Sequence, residues 1–244
     1  VKTPEDIVKI PFSSKEDLRN AYPLGLQAVP DEEIVRIHSS SGTTGLPVII
    51  PYTRQDVDDW ATMMARCMTI AGVTNRDRVQ ITPGYDIYGL TEIYGPGISV
   101  SCKGKKELHY FDDFVFFEVI DYETGLPVPD GEVGELVITT LKKQGAPLLR
   151  YRTRDLTRLI PGECSCGLPY PRHDRIIGRA DDMTKVKGVN IYPAQIDGLL
   201  SSIQGASSEY QVVVDKIGGK DHMVLRFERE NNPYAGSRNY DYFD

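Results

Sequence analysis

Short apolar runs alternate along this chain with clusters of Gly, Pro, Ser and Asp, and two periods can be followed through it. Helical spacing is clearest from Thr53 to about Ala71, where Val57, Trp60, Ala61, Met64 and Cys67 recur every three or four residues and Trp60 and Met64 read as core. Before that, residues 3–24 read as helix and turn, with Thr3-Pro4-Glu5-Asp6 as one cap and Ser13-Ser14-Lys15-Glu16-Asp17-Leu18 opening a second short helix. Residues 76–82 read as a strand. Residues 98–160 are strand-rich, with the strongest runs at 114–121 and 134–140 and turn signals at Asp121-Tyr122-Glu123-Thr124-Gly125 and Pro129-Asp130-Gly131, which suggests a small β-barrel or a distorted sheet. After Met183 the pattern changes. Pro193-Ala194-Gln195-Ile196 opens a helix with proline in its first turn, and strands at 209–214 and 222–227 follow, joined across Gly218-Gly219. A small α+β domain therefore begins near Asp181, and residues 234–244 read as a polar, aromatic tail.

Composition narrows the class. The 244 residues are 40% hydrophobic and 26% charged, enough for a real core, and the net charge of −7 argues against nucleic acid as the main partner. No apolar run approaches the roughly 20 residues that span a bilayer, and Val1-Lys2-Thr3-Pro4-Glu5-Asp6 has no signal-peptide pattern. Four cysteines, two of them in Cys164-Ser165-Cys166, suit a metal or reduced-thiol arrangement better than a disulfide framework. The expectation is a cytoplasmic protein with no membrane partner.

Two stretches carry candidate chemistry. Ser39-Ser40-Ser41-Gly42-Thr43-Thr44-Gly45-Leu46-Pro47 lies between the β-type runs 33–37 and 48–50. Its glycines allow positive φ and leave room for an anion, and five hydroxyls can donate beside the backbone N–H groups. An ordinary Ser/Gly loop is the equal alternative, and the absence of a Gly-Lys-Ser/Thr ending excludes the P-loop of nucleoside triphosphatases. Cys102-x6-His109 and Cys164-x-Cys166 together offer three thiols and an imidazole, a closed set for a structural Zn²⁺; buried free cysteines are the rival reading, and His173 is the substitute for His109. Cys67, on the helix, reads as core.

Four motifs stand in order: the 39–47 loop; Tyr88-Gly89-Leu90-Thr91-Glu92; Tyr151-Arg152-Thr153-Arg154-Asp155-Leu156; and Gly178-Arg179-Ala180-Asp181-Asp182-Met183-Thr184-Lys185-Val186-Lys187-Gly188. In that order they resemble the adenylate-forming (ANL) acyl-CoA synthetases, most nearly the phenylacetate–coenzyme A ligase family with its coenzyme F390 synthetase-like members, over about residues 5–225. The resemblance implies an α/β plus β-barrel fold: an incomplete large adenylation domain over 1–180 and a truncated α+β lid over 181–244. It implies ATP, Mg²⁺ and coenzyme A as cofactors. Ser40, Ser41, Gly42, Thr43, Thr44 and Gly45 would hold the β- and γ-phosphates. Tyr88 would lie against adenine, with Gly89 beside it in the cofactor-binding set, Thr91 on the α-phosphate, and Glu92 on Mg²⁺. Asp155 would accept from the ribose hydroxyls, with Arg154 standing where glycine is more usual, and Arg179 would help hold ribose or phosphate. Asp181 falls at the hinge, and Lys185 matches a phosphate-contacting lysine that faces the site after rotation. An alternating solvent face is the rival reading of Lys185 and Lys187. Val48 replaces a lysine common elsewhere in the superfamily, as in the phenylacetate branch.

The implied function is ATP-dependent ligation of an aryl or arylacetic acid to coenzyme A, with small-molecule partners and a homodimer as the expected assembly. The alternatives are an F390 synthetase-like adenylyltransferase and a nucleotide-binding fragment without catalysis. Against the resembled family the chain starts partway into the fold, lacks roughly a hundred or more residues between Tyr85 and Asp86, and stops before the C-terminal lysine motif. It reads as pieces of a longer polypeptide or a trimmed form of one, because a native junction at 85/86 would delete strands from a buried sheet.

Overall fold

The structure is a computed structural model that describes residues 4–40, 47–77, 86–102, 107–182, 184–187, 189–191 and 193–229. The chain divides into two compact units, Val1–Ile176 and Ile177–Asp244, a few residues before the boundary read from the sequence.

The first unit opens with a 3₁₀ turn, Pro4–Lys9, and helix α1, Lys15–Asn20. Ser14 caps α1 through a reciprocal box with Asp17, so the local signal at 13–18 is realised. Strands β1 (Ile34–Ser39) and β2 (Ile49–Thr53) form an antiparallel pair on either side of the Ser/Gly loop. Helix α2, Arg54–Ile70, follows directly, with Thr53 and Asp56 forming a second capping box and Ala71 at the C-cap.

The face that α2 buries differs from the sequence expectation. Asp56, Asp59, Met63 and Cys67 are buried, Val57 and Trp60 are partly so, and Ala61 is exposed. The stripe can take in Asp56 because its carboxylate has long-range partners: Oδ1 accepts from the Gln144 N–H at 2.7 Å and Oδ2 from the Gly145 N–H at 2.8 Å. A buried carboxylate so supplied with donors is tolerated where a bare one is not. Trp60 and Met64 do pack on the interior. The Trp60 indole donates to the Pro96 carbonyl at 2.8 Å, and Gly97, where a Cβ would stand 2.4 Å from the Met64 sulfur, has φ 104°, a backbone that favours glycine. Residues 76–77, expected to begin a strand, sit in a turn capped by Asp77 on Thr74; the rest of that expected strand lies outside the described residues.

Five strands form one sheet: β3 (Ile87–Leu90), β4 (Gly95–Ser101), β5 (Leu108–Tyr110), β9 (Leu159–Ile160) and β10 (Arg172–His173), in the order β3-β4-β5-β10-β9. A second sheet carries the antiparallel meander β6 (Val115–Ile120), β7 (Gly134–Thr140) and β8 (Tyr151–Thr157). The Tyr110 and Phe117 rings stack at 4.2 Å, joining β5 to β6, with His173 edge-on to Phe117. These are separate ladders. Closing a barrel needs hydrogen bonding from first strand to last, and no barrel closes among the described residues, so the distorted-sheet alternative stands.

The second unit contains β11 (Gly178–Arg179), the hairpin β12 (Thr184–Val186) and β13 (Val189–Ile191), helix α3 (Pro193–Ser201), and the long hairpin β14 (Ala206–Ile217) and β15 (Lys220–Arg229). Gly218 and Gly219, at φ 59° and 78°, make the two-residue turn that a hairpin of this twist requires. The tail beyond 229 lies outside the described residues.

Candidate active site

Strand β3 and the turn after it place the second motif. A Cβ at Gly89 would stand 2.0 Å from the Gly95 carbonyl oxygen, so β3 can cross β4 here only with glycine. On one side of this crossing, the Tyr88 hydroxyl donates to Asp155 Oδ2 at 2.7 Å, joining motif residues that stand 67 apart in sequence. On the other, Glu92 is buried and its Oε1 pairs with the half-exposed Lys15 ammonium at 3.2 Å. That pair shows that the Glu92 carboxylate faces a place where positive charge is favoured.

Asp155 reaches Tyr88 from a bulge in β8. Glu135 pairs with Leu156 and Val137 with Arg152, so residues 153–155 stand opposite the single Leu136. Within the bulge Arg154 has φ 67°, the left-handed region that costs a non-glycine residue of order 1 kcal/mol. The arginine thus adopts the conformation for which glycine is the easier choice.

Two residues on the underside of the site were not singled out from the sequence. The Tyr52 hydroxyl donates to the Thr91 carbonyl at 3.3 Å, and the buried Lys143 ammonium donates to the Glu92 carbonyl at 3.1 Å and to that of Ile93. Three consecutive carbonyls are therefore held from below. The Lys143 ammonium also lies 4.6 Å from the Tyr52 ring centroid and 5.3 Å from that of Tyr94. Burial pulls its pKa down to about 7, against the opposing pull of Asp56 and Glu92. Lys142-Lys143-Gln144-Gly145 looks like a solvated turn in the sequence, and only a single buried lysine beside this site marks it out.

The remaining expected residues are distributed as follows. Ser40 closes the neck of the Ser/Gly loop: its N–H donates to the Val48 carbonyl at 3.0 Å and its Oγ accepts from the Val48 N–H at 2.9 Å. Ser41, Gly42, Thr43, Thr44 and Gly45 lie outside the described residues. In the second unit Arg179 pairs with Asp181, Nε to Oδ1 and Nη2 to Oδ2, each at 3.0 Å, and both side chains are largely exposed. Lys185 lies on the backbone of β12. Lys187 stands in the turn after it, at φ 50°, with its N–H on Asp221 at 2.9 Å, so the two lysines do not alternate along one strand.

Cys102, His109, Cys164 and Cys166 converge, with their four ligand atoms all within 4.8 Å of one another. Cys102 and Cys164 sulfurs are 3.8 Å apart, and Cys166 Sγ lies 3.4 Å from His109 Nε2. His109 Nδ1 donates to the Tyr170 carbonyl at 2.8 Å, which leaves Nε2 as the lone-pair nitrogen facing the thiols. The backbone N–H of Cys166 heads the causes that pull the Cys164 thiol down to about 6, whereas burial pushes Cys102 up to about 12. His173 is elsewhere: it is fully buried, on Ser99 Oγ at 2.8 Å, and burial pulls it down to about 4. Cys67 is buried core, its thiol pushed up to about 12 by burial.

Comparison with known proteins gives the same order of motifs a context. Residues 188–241 match the AMP-binding enzyme C-terminal domain family. The phenylacetate–coenzyme A ligase of Pseudomonas putida is 32% identical, covering 92% of this chain and 73% of its own length; that of Thermus thermophilus is 33% identical, covering 92% and 72%. The Pseudomonas alignment runs over 325 residues, so roughly a hundred positions of the relative stand opposite gaps in this chain. Among solved structures, a 2-hydroxyisobutyryl-CoA ligase in its postadenylation state, in complex with an acyl-AMP, superposes with a TM-score of 0.81 at 22% identity, over 97% of this chain and 72% of that one. ATP-bound MatB from Rhodopseudomonas palustris superposes with a TM-score of 0.53 at 13% identity, over 84% and 59%. At these identities the solved structures carry the adenylate-forming fold and nothing finer.

Proposed function

Since this chain belongs to the phenylacetate–coenzyme A ligase family and is an acid–thiol ligase, we propose that its substrate is an aryl or arylacetic acid, activated with ATP and passed to coenzyme A. A carboxylate oxygen attacks the α-phosphorus, the bond to the β-phosphate breaks and pyrophosphate leaves; the coenzyme A thiolate then attacks the acyl carbon and AMP departs. The observation that carries the site reading is the Tyr88–Asp155 hydrogen bond, which brings two motifs together beside the Thr91–Glu92 turn.

In this reading Tyr88 lines the adenine, Gly89 lets the chain turn beside it, Asp155 accepts from the ribose, and Thr91 donates to the α-phosphate. The 40–45 residues would hold the outer phosphates with hydroxyls and N–H groups, and Arg179 would take ribose or phosphate in place of Asp181. Asp181 acts as the hinge and Lys185 as the phosphate contact of the rotated lid, with the lid boundary at about 180/181. Glu92 would hold Mg²⁺, a hard carboxylate for a hard cation in a place that already draws the Lys15 ammonium. Bound there, the ion neutralises charge on the phosphates. Cys102, His109, Cys164 and Cys166 would hold a structural Zn²⁺, which suits three thiols and one oriented imidazole. Four free cysteines fit a reducing, cytoplasmic setting.

The test is carboxylate-dependent pyrophosphate release with ATP and Mg²⁺, across a panel of aryl and aliphatic acids. Release confined to aryl acids supports the reading; release with aliphatic acids alone overturns the substrate class. No release with any acid, despite bound ATP, overturns adenylation.

A further inference from the structure

The bulge that carries Asp155 is braced by one buried acid. Glu135 is fully buried on β7, beside the register shift. Its Oε1 accepts the Arg154 N–H at 3.1 Å, in the residue with left-handed backbone. Its Oε2 accepts from Arg152, through Nε at 3.0 Å and through Nη2, and lies 3.7 Å from Arg154 Nη1. Arg152 Nη2 is anchored in turn on the Tyr122 carbonyl at 2.8 Å. Thr153 closes the other side of the bulge: its Oγ1 donates to the Leu136 carbonyl at 2.8 Å and accepts the Asp155 N–H at 3.0 Å.

Among the described residues every polar contact of the Glu135 side chain therefore goes to β8 at or beside the bulge, and the residue that leaves the bulge is Asp155. A carboxylate holding an N–H and two guanidinium groups is a stiff brace, because charge-assisted bonds are short and directional. An arginine would abandon its left-handed backbone if that brace were loosened, and Asp155 would swing with it.

We propose that Glu135, with Thr153, is a positioning residue for nucleotide recognition: it fixes the β8 bulge so that Asp155 presents its carboxylate to the ribose hydroxyls. This rests on the reading of Asp155 as the ribose acceptor. A carboxylate so placed discriminates a ribonucleotide from one lacking both hydroxyls, and the discrimination, rather than affinity in general, is what the brace secures.

The measurement is the dissociation constant of the full chain for ATP and for 2′,3′-dideoxy-ATP, with melting temperature recorded for each protein. Wild type should bind ATP about tenfold or more tightly than the dideoxy analogue. Asp155→Asn should reduce that ratio strongly. Glu135→Gln turns one oxygen into an amide NH2 that meets a donor either way round, the Arg154 N–H or the guanidinium groups, and should reduce the ratio while leaving dideoxy-ATP binding within about twofold. Should Glu135→Gln fail to fold, Thr153→Val decides the matter: it keeps the volume, loses the hydroxyl bridge and should reduce the ratio in part. A ratio that stays at the wild-type value in Thr153→Val and in any folded Glu135→Gln, while Asp155→Asn lowers it, overturns the positioning role and leaves the ribose reading intact. A wild type that binds both nucleotides equally, or an Asp155→Asn variant with an unchanged ratio, overturns both.

Discussion

The Tyr88 hydroxyl and the Asp155 carboxylate, on β3 and β8, meet at 2.7 Å and tie the two principal sheets together at the proposed nucleotide site. Tyr88→Phe removes the donor and keeps the ring. A neutral donor to a carboxylate contributes roughly 1–2 kcal/mol, so KM for ATP should rise about fivefold or more with kcat nearly unchanged. Steady-state kinetics at varied ATP checks this, and an unchanged KM would remove the bond from nucleotide binding.

Lys143 supports the neighbouring turn through the Glu92 and Ile93 carbonyls. Lys143→Met leaves two buried acceptors without their donor, which costs about 1–3 kcal/mol each, offset in part because a cation no longer has to be desolvated. Melting should fall by several degrees. Adenylation measured well below the melting point should fall further, about tenfold, because Thr91 and Glu92 lose their support. Full activity in a destabilised but folded variant would limit Lys143 to stability.

His173 gives the protein a pH dependence of defined sign. Burial lowers its folded pKa to about 4 from 6.5, while Asp174 pulls the other way and His109 adds to the lowering. Between those values the unfolded chain binds more protons than the folded one. Stability is therefore fully present above about pH 6.5 and falls as pH drops toward 4, by on the order of 3 kcal/mol. Denaturant midpoints measured from pH 7.5 to 4 should show this slope, and His173→Gln should flatten it; an equal slope in the variant would assign it to other groups.

The thiol cluster predicts a joint loss. Cys164→Ser removes one of four converging ligands, and both zinc content and melting temperature should fall together. Elemental analysis of the purified wild type comes first, and one that carries no metal after expression in zinc-supplemented medium would leave the four residues as a plain thiol cluster.

What the sequence made legible was local or came through the order of motifs. Ser14 and Thr53 announce their helices because a capping box is a signal within four residues. The hairpin at Gly218-Gly219 is readable for the same reason. The buried face of α2 was not, because Asp56 is made tolerable by N–H groups 88 and 89 residues away. Lys143 was equally hidden, since nothing beside it in the chain shows that two carbonyls and two aromatic rings will surround its ammonium. The residue types named Cys102, His109, Cys164 and Cys166 as a candidate set but left His173 and plain buried thiols open until their convergence was seen, whereas the bracing of Asp155 by Glu135 depends on a bulge whose register no spacing reveals.

Acid activation followed by thioester formation is read directly from the reaction products. The full-length protein is incubated with phenylacetate, ATP, Mg²⁺ and coenzyme A, and the mixture is resolved by mass. AMP and phenylacetyl-coenzyme A should form in equal amounts, with the acyl-adenylate appearing when coenzyme A is left out. Pyrophosphate release with no coenzyme A thioester, and the adenylyl group found on another acceptor, would contradict it.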